Sequence, residues 1–107
     1  MCQMFAGQQP EDYEYQSRSL RLNGQCTSLR LERKFWRVLD EIARSEDLST
    51  PMFISKLHAE VTDLHGEARN FSSLLRCTCL VYLESQQARV GVLTDSSTVQ
   101  NEMATAI

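Results

Sequence analysis

The sequence predicts a mainly α-helical fold that opens on a short β-ribbon, and three observations predict it. Between Arg18 and Ala43 the apolar period changes from two residues to that of a helix, with no loop between. Asn23-Gly24 separates two runs of alternating residues, the strongest short signal for a hairpin. Two later stretches, after Ser49-Thr50-Pro51 and after Ser72-Ser73, open with helix-capping hydroxyls.

The first strand is expected near Arg18–Leu22 and the second near Gln25–Leu31. In the second, Leu29 and Leu31 face one way while Ser28, Arg30 and Glu32 face the other. A helix over about 32–45 follows at once, with Phe35, Val38, Leu39, Ile42 and Ala43 as its apolar stripe. Glu32 stands at the positive end of that helix dipole. A second helix runs to about Leu64 with Phe53, Ile54, Leu57, Val61 and Leu64 as its buried stripe, and His65-Gly66 ends it. The third segment, Leu74–Ser85, is apolar nearly all round. Its composition also suits a strand, but the Ser72-Ser73 cap favours a helix, and such a helix must be covered on most sides.

Residues 1–16 and 86–107 read as a flexible arm and a flexible tail, which leaves 17–85 as one domain. A core of about seventy residues is thin for a monomer, so a homodimer is expected. The formal charge is −3, but it is unevenly spread. Residues 1–15 carry three acids and no base, whereas Arg18–Arg37 holds six bases against the single Glu32. The basic charge therefore sits on the ribbon and the first helical turns, where a phosphate-binding surface needs it. A solvated face would look similar in composition alone.

Other chemistries find little support. Cys2, Cys26, Cys77 and Cys79, with His58 and His65, lack metal-ligand spacing, so no metal is expected and buried thiols acting as small hydrophobes are favoured. No catalytic constellation and no phosphate-cradling loop occur, so neither an enzyme nor a cofactor is expected. Trp36 flanks the apolar stripe and reads as a core or dimer anchor. The absence of a leader-like N-terminus or an apolar span leads to the expectation of a cytoplasmic protein with reduced thiols and no membrane partner.

The order strand, helix, helix, together with Arg18-Ser19, Gly24, Thr27-Ser28-Leu29-Arg30-Leu31-Glu32, Phe35-Trp36, Ile42-Ala43 and Ser72-Ser73-Leu74-Leu75-Arg76, resembles the ribbon-helix-helix repressors. Among these, the chain is most similar to a group of small, mostly uncharacterised bacterial proteins. The resemblance implies an intertwined homodimer whose antiparallel ribbon, one strand from each subunit, enters the DNA major groove. On this chain it implies base reading by Arg30, Ser28 and Cys26, with Thr27, Leu29 and Leu31 turned into the core. Arg30 is the main reader, because its fork matches the two acceptors of guanine. Phosphate contacts are expected from Arg18, Arg21, Arg33 and Lys34, and from a helix N-terminus. Two N-termini qualify, Ser49-Thr50 and Ser72-Ser73; the second is favoured as the packing equivalent of the family's second helix, with 49–70 then an insertion.

Whether Arg18–Leu22 forms an extra strand that widens the sheet is left open by the sequence. The function expected is a dimeric, sequence-specific transcriptional regulator that binds double-stranded DNA. The alternative is a dimeric interaction module or antitoxin-like protein of the same fold. Val90-Gly91-Val92-Leu93 and Met103–Ile107 offer a few apolar anchors for a protein partner on the tail.

Overall fold

Asn23 and Gly24 both adopt positive φ, 57° and 80°, the backbone a two-residue type I′ turn requires. That turn matches the natural twist of two strands, and it joins β1 (Tyr15–Leu22) to β2 (Gln25–Glu32). The strands pair antiparallel over eight positions, from Leu22 opposite Gln25 to Tyr15 opposite Glu32. The extra strand that the sequence left open is therefore present. A computed structural model describes residues 2–94 of the chain, with side-chain surroundings through Arg89. The tail anchors at Met103–Ile107 lie outside the described residues, as do the side chains of residues 90–93.

Alternation along the hairpin sorts its side chains onto two faces. Leu20, Leu22, Leu29 and Leu31 are buried on the inner face, while Ser17, Ser19, Arg21, Cys26, Ser28 and Arg30 are exposed on the outer one. Three helices cover the inner face: α2 (Arg33–Ser45), α3 (Thr50–His65) and α4 (Phe71–Thr94). Ahead of the hairpin lie a five-residue helix, α1 (Cys2–Ala6), and a single 3-10 turn at Pro10–Tyr13.

The core joins the four strand leucines to Trp36, Leu39, Ile42, Ile54, Phe71, Leu75 and Cys79. Trp36 is fully buried, whereas Phe35 and Val38 are only partly covered, so the buried stripe of α2 is rotated toward Trp36. Burial of the indole leaves no polar group stranded, because its Nε1–H donates to the Gln16 carbonyl at 2.7 Å. Helix α2 is closed just past Ser45 by Asp47, whose φ of 58° serves where a glycine is usual, and Leu48 N–H closes onto Ala43 O at 2.9 Å.

Helix α3 starts as its sequence dictates. Ser49 Oγ accepts from Met52 N–H at 3.3 Å, Pro51 occupies the first turn, and Gly66 ends the helix at φ 83°. Its stripe is shorter than expected: Ile54 is buried, Phe53, Leu57 and Val61 are half-buried, and Leu64 is 79% exposed. Among the described residues the last turn of α3 has no neighbour that covers Leu64, because the chain turns away at Gly66.

The third segment is a helix, longer than its sequence suggested. It starts at Phe71, so Ser72 and Ser73 lie within its first turn and do not cap it, the Asn70 carbonyl accepting the first helical bond from Leu74 N–H at 3.0 Å. Phe71, Leu75 and Cys79 form its buried stripe at four-residue spacing. Cys77 points to the other side and is exposed, so the expectation of buried thiols holds for Cys79 alone. Leu80, Val81 and Leu83 remain exposed, which leaves an apolar row on α4 without a neighbour among the described residues.

Candidate nucleic-acid interface

The outer face of the hairpin is built almost wholly of small or basic side chains. Ser17 stands opposite Arg30, Ser19 opposite Ser28, and Arg21 opposite Cys26. Arg30 extends over the ring of Tyr15, with Cζ 4.3 Å from the ring centroid. That stack holds the guanidinium while leaving its donor edge free for a planar acceptor pair. By sequence alone Tyr15 falls in the flexible arm. Its parity with Ser17 and Ser19 is the signal that would have placed it on this face.

Arg18 lies on the opposite face from Arg21. Its guanidinium donates to both carboxylate oxygens of Asp40, at 2.9 and 3.2 Å, and covers the Trp36 ring at 4.4 Å. Thr50 Oγ1 donates to the same carboxylate at 2.6 Å. Three elements of the chain thus meet at one point: β1, α2 and the first residue of α3. The physical reason is parity, since Arg18 falls in register with Leu20 and Leu22 on the inner side of β1.

The same carboxylate bears on the first of the two candidate phosphate sites. The start of α3 already has Asp40 beside it through Thr50, and Ser49 Oγ is engaged with Met52 N–H. At the second, Ser72 is half-buried and Ser73 exposed at the start of α4, which packs along α2 and the end of β2. Arg33 and Lys34 stand exposed at the start of α2 beside the outgoing ribbon.

Glu32, the one acid among these bases, is paired. Arg76 Nε donates to its carboxylate at 3.0 Å from α4. Partial burial works to raise the Glu32 carboxyl, but hydrogen bonds from its own backbone N–H and from Arg76, with the Arg76 charge, hold it below the usual carboxylate range. Asp40 behaves alike: burial raises it, and Arg18, Thr50 and the nearby Arg44 charge outweigh that. Each carboxyl sits lower in the folded than in the unfolded chain. Its stabilisation is therefore complete above the unfolded value near ~4 and is lost as pH falls through the folded one. Urea midpoints should fall on acidification below about pH 4, and Asp40→Asn should show a smaller acid-induced fall than the unaltered chain.

Among the described residues no group of three or more His, Cys, Asp and Glu side chains is arranged to hold a metal ion. No helix among them is long and apolar enough to cross a membrane. Burial pushes the Cys79 thiol up to about 11, against a smaller lowering by a backbone hydrogen bond, so it stays protonated and unreactive near neutrality.

A basic-faced β-ribbon leading directly into a helix, with further helices packed behind it, defines a class of small ribbon-bearing domains. The chain belongs to the ribbon-helix-helix domain family, whose model matches residues 15–83. Domains of this family generally bind DNA as dimers. Among solved structures, an uncharacterized protein from Bordetella pertussis Tohama I is similar, with 41% sequence identity and a TM-score of 0.80. The likeness covers 91% of this chain and 77% of that one. The comparison with curated proteins gave no match.

Proposed function

We propose that the protein is a homodimeric, sequence-specific DNA-binding regulator that reads the major groove with the outer face of its hairpin. The observation that carries this reading is the composition of that face, where Arg30 and Arg21 rise among serines and the neighbouring Glu32 is paired with Arg76. Arg30 reads base edges, with Ser28 and Cys26 beside it in the same row. Arg21, Arg33 and Lys34 meet phosphate, as does the α4 start at Ser72-Ser73, which is favoured over Ser49-Thr50 because Asp40 already serves the latter. Arg18, expected from sequence to meet phosphate, instead clamps β1 to α2.

Subunit pairing through β2 follows from what each side of the hairpin carries. In residues of non-hydrogen-bonded pairs, such as Ser28 and Arg30, the backbone N–H and C=O point away from β1. They form an open edge that another strand can complete. The apolar row of α4 and a groove of about 380 Å³, with Phe35, Val38, Cys79, Leu80 and Leu83 on its apolar side and the N-terminal segment from Gln8 to Tyr13 on the other, lie toward the end of β2. Helix α3 packs instead behind β1. Pairing β2 with its mate covers the groove and gives a four-stranded sheet.

Such a sheet spans roughly 14 Å from the spacing of strands, against about 12 Å for the major groove. The central strands carry Arg30, and on the flanking strands only Ser17 and Ser19 stand between Tyr15 and Arg21. Small flanks let the groove's phosphate rims approach. The width of the sheet is also the observation that favours a second reading, a dimeric interaction module or antitoxin-like protein with weak DNA binding.

Selection of bound fragments from the source genome separates the two. A regulator enriches a symmetric half-site repeat, whereas the interaction module enriches none. Tyr15 supplies a finer check: Tyr15→Ala should weaken specific binding by removing the support of Arg30, and Tyr15→Phe should retain it. Equal behaviour of the two variants would remove the stack from the reading.

A further inference from the structure

The first fifteen residues contain three acids, Glu11, Asp12 and Glu14, and no base. They do not lie at random on the surface. Asp12 forms an ion pair with Arg37, and Gln8 Oε1 accepts from Lys34 Nζ at 3.4 Å. The segment is fixed at its end, where Arg33 N–H donates to the Glu14 carbonyl at 2.9 Å and extends the β1–β2 ladder by one bond. Glu11 and Asp12 share a cleft of about 300 Å³ with Arg18, Arg33, Trp36 and Arg37. An acidic segment is thus laid along the basic first turns of α2.

We propose that Gln8–Glu14 is an intramolecular cover that competes with nucleic-acid phosphate for Arg33, Lys34 and Arg37. The inference rests on the DNA-binding reading and adds a regulatory step to it. Carboxylates held beside these bases lower the local positive potential that an approaching phosphate meets. The contacts are of a displaceable kind. Arg37 is 61% exposed in its pair with Asp12, and surface ion pairs are weak and screened by salt. The tether at Glu14 keeps the segment close after it lifts, so closure returns once DNA leaves. The cover raises the discrimination of the protein against random duplex, because weak non-specific contacts depend most on charge.

The test compares three full-length proteins on random duplex DNA over a range of salt. One is unaltered, and one carries Glu11→Gln, Asp12→Asn and Glu14→Gln. The third carries Glu46→Gln, Glu60→Gln and Asp63→Asn, exposed acids on α3 or in the loop before it, so its net charge changes equally. The arm variant is expected to bind about tenfold tighter than the charge-matched one at low salt, with a steeper salt dependence. Equal gains by the two variants, or no gain by the arm variant, would overturn the cover and leave DNA binding intact. Absence of binding by all three would remove the DNA-binding reading, and the cover with it.

A second measurement does not depend on the variants. In the unaltered protein the Asp12 amide donates to Gln9 O at 2.9 Å, a bond within a single 3-10 turn that has little stability of its own once it leaves α2, so its hydrogen exchange reports whether the turn is seated. Added duplex should speed that exchange as the segment lifts. Unchanged or slower exchange in a saturated complex would contradict displacement.

Discussion

Arg30→Ala is expected to weaken binding at the protein's specific sites by about 1–3 kcal/mol, while changing affinity for random duplex far less. The size follows from a bidentate contact, which needs a guanidinium held in one orientation with its donor edge outward. Tyr15 supplies the hold at 4.3 Å, and Ser17 across the ladder leaves the space. Arg30→Lys should recover little, since an ammonium cannot present two parallel donors. Lys34→Ala serves as the contrast: a phosphate contact should weaken specific and random sites together and make the salt slope shallower by about one. Titration of each variant on a selected site and on a scrambled one gives the comparison. Equal losses at both for Arg30→Ala would show that the residue contributes charge and no base reading.

Trp36→Ala is expected to be the most damaging single change to the fold. Truncating a fully buried large aromatic costs about 3–5 kcal/mol, and here three further losses accompany it. The Gln16 carbonyl loses its indole donor, the Arg18 guanidinium loses the ring beneath it, and the join between β1 and α2 opens. Small domains hold only about 5–15 kcal/mol in all, so the variant should melt with little cooperativity or not fold at room temperature. Trp36→Phe separates packing from hydrogen bonding, with an expected loss of about 1–3 kcal/mol from the orphaned acceptor and the smaller ring. Urea unfolding followed by circular dichroism measures both. A Trp36→Ala protein as stable as the unaltered chain would show that the indole is not the anchor of the core.

The strand-to-helix change at Glu32 and the Asn23-Gly24 turn were legible because each rests on local rules: side-chain period in one case, positive φ in the other. The Ser49 cap and the first-turn Pro51 were legible for the same reason. Trp36 was harder. Its place in the core depends on an acceptor twenty residues upstream, the Gln16 carbonyl, in a segment that reads as loose by composition. Arg18 is different again, because the information was present. It shares parity with Leu20 and Leu22, so a strand there turns it inward whatever its charge. Pairing with Asp40, twenty-two residues away, is what makes an inward arginine acceptable, and no local pattern announces such a partner.

The candidate interface divides along the same line. Arg30, Ser28 and Cys26 form one row because alternation in β2 places them so. The Tyr15 support for Arg30, the Arg76 partner of Glu32 and the acidic segment against Arg37 all join residues distant in sequence, and only the folded chain brings them together.

The most direct measurement is the salt dependence of binding to duplex DNA by the purified protein, on fragments that include selected genomic sites. Engagement of several phosphates should make affinity fall steeply and linearly in log–log form, by about one power of salt for each phosphate neutralised. Specific fragments should stay well above random ones across the range. A folded protein that binds neither at ~50 mM salt, or whose binding is flat with salt, would contradict a DNA-reading ribbon.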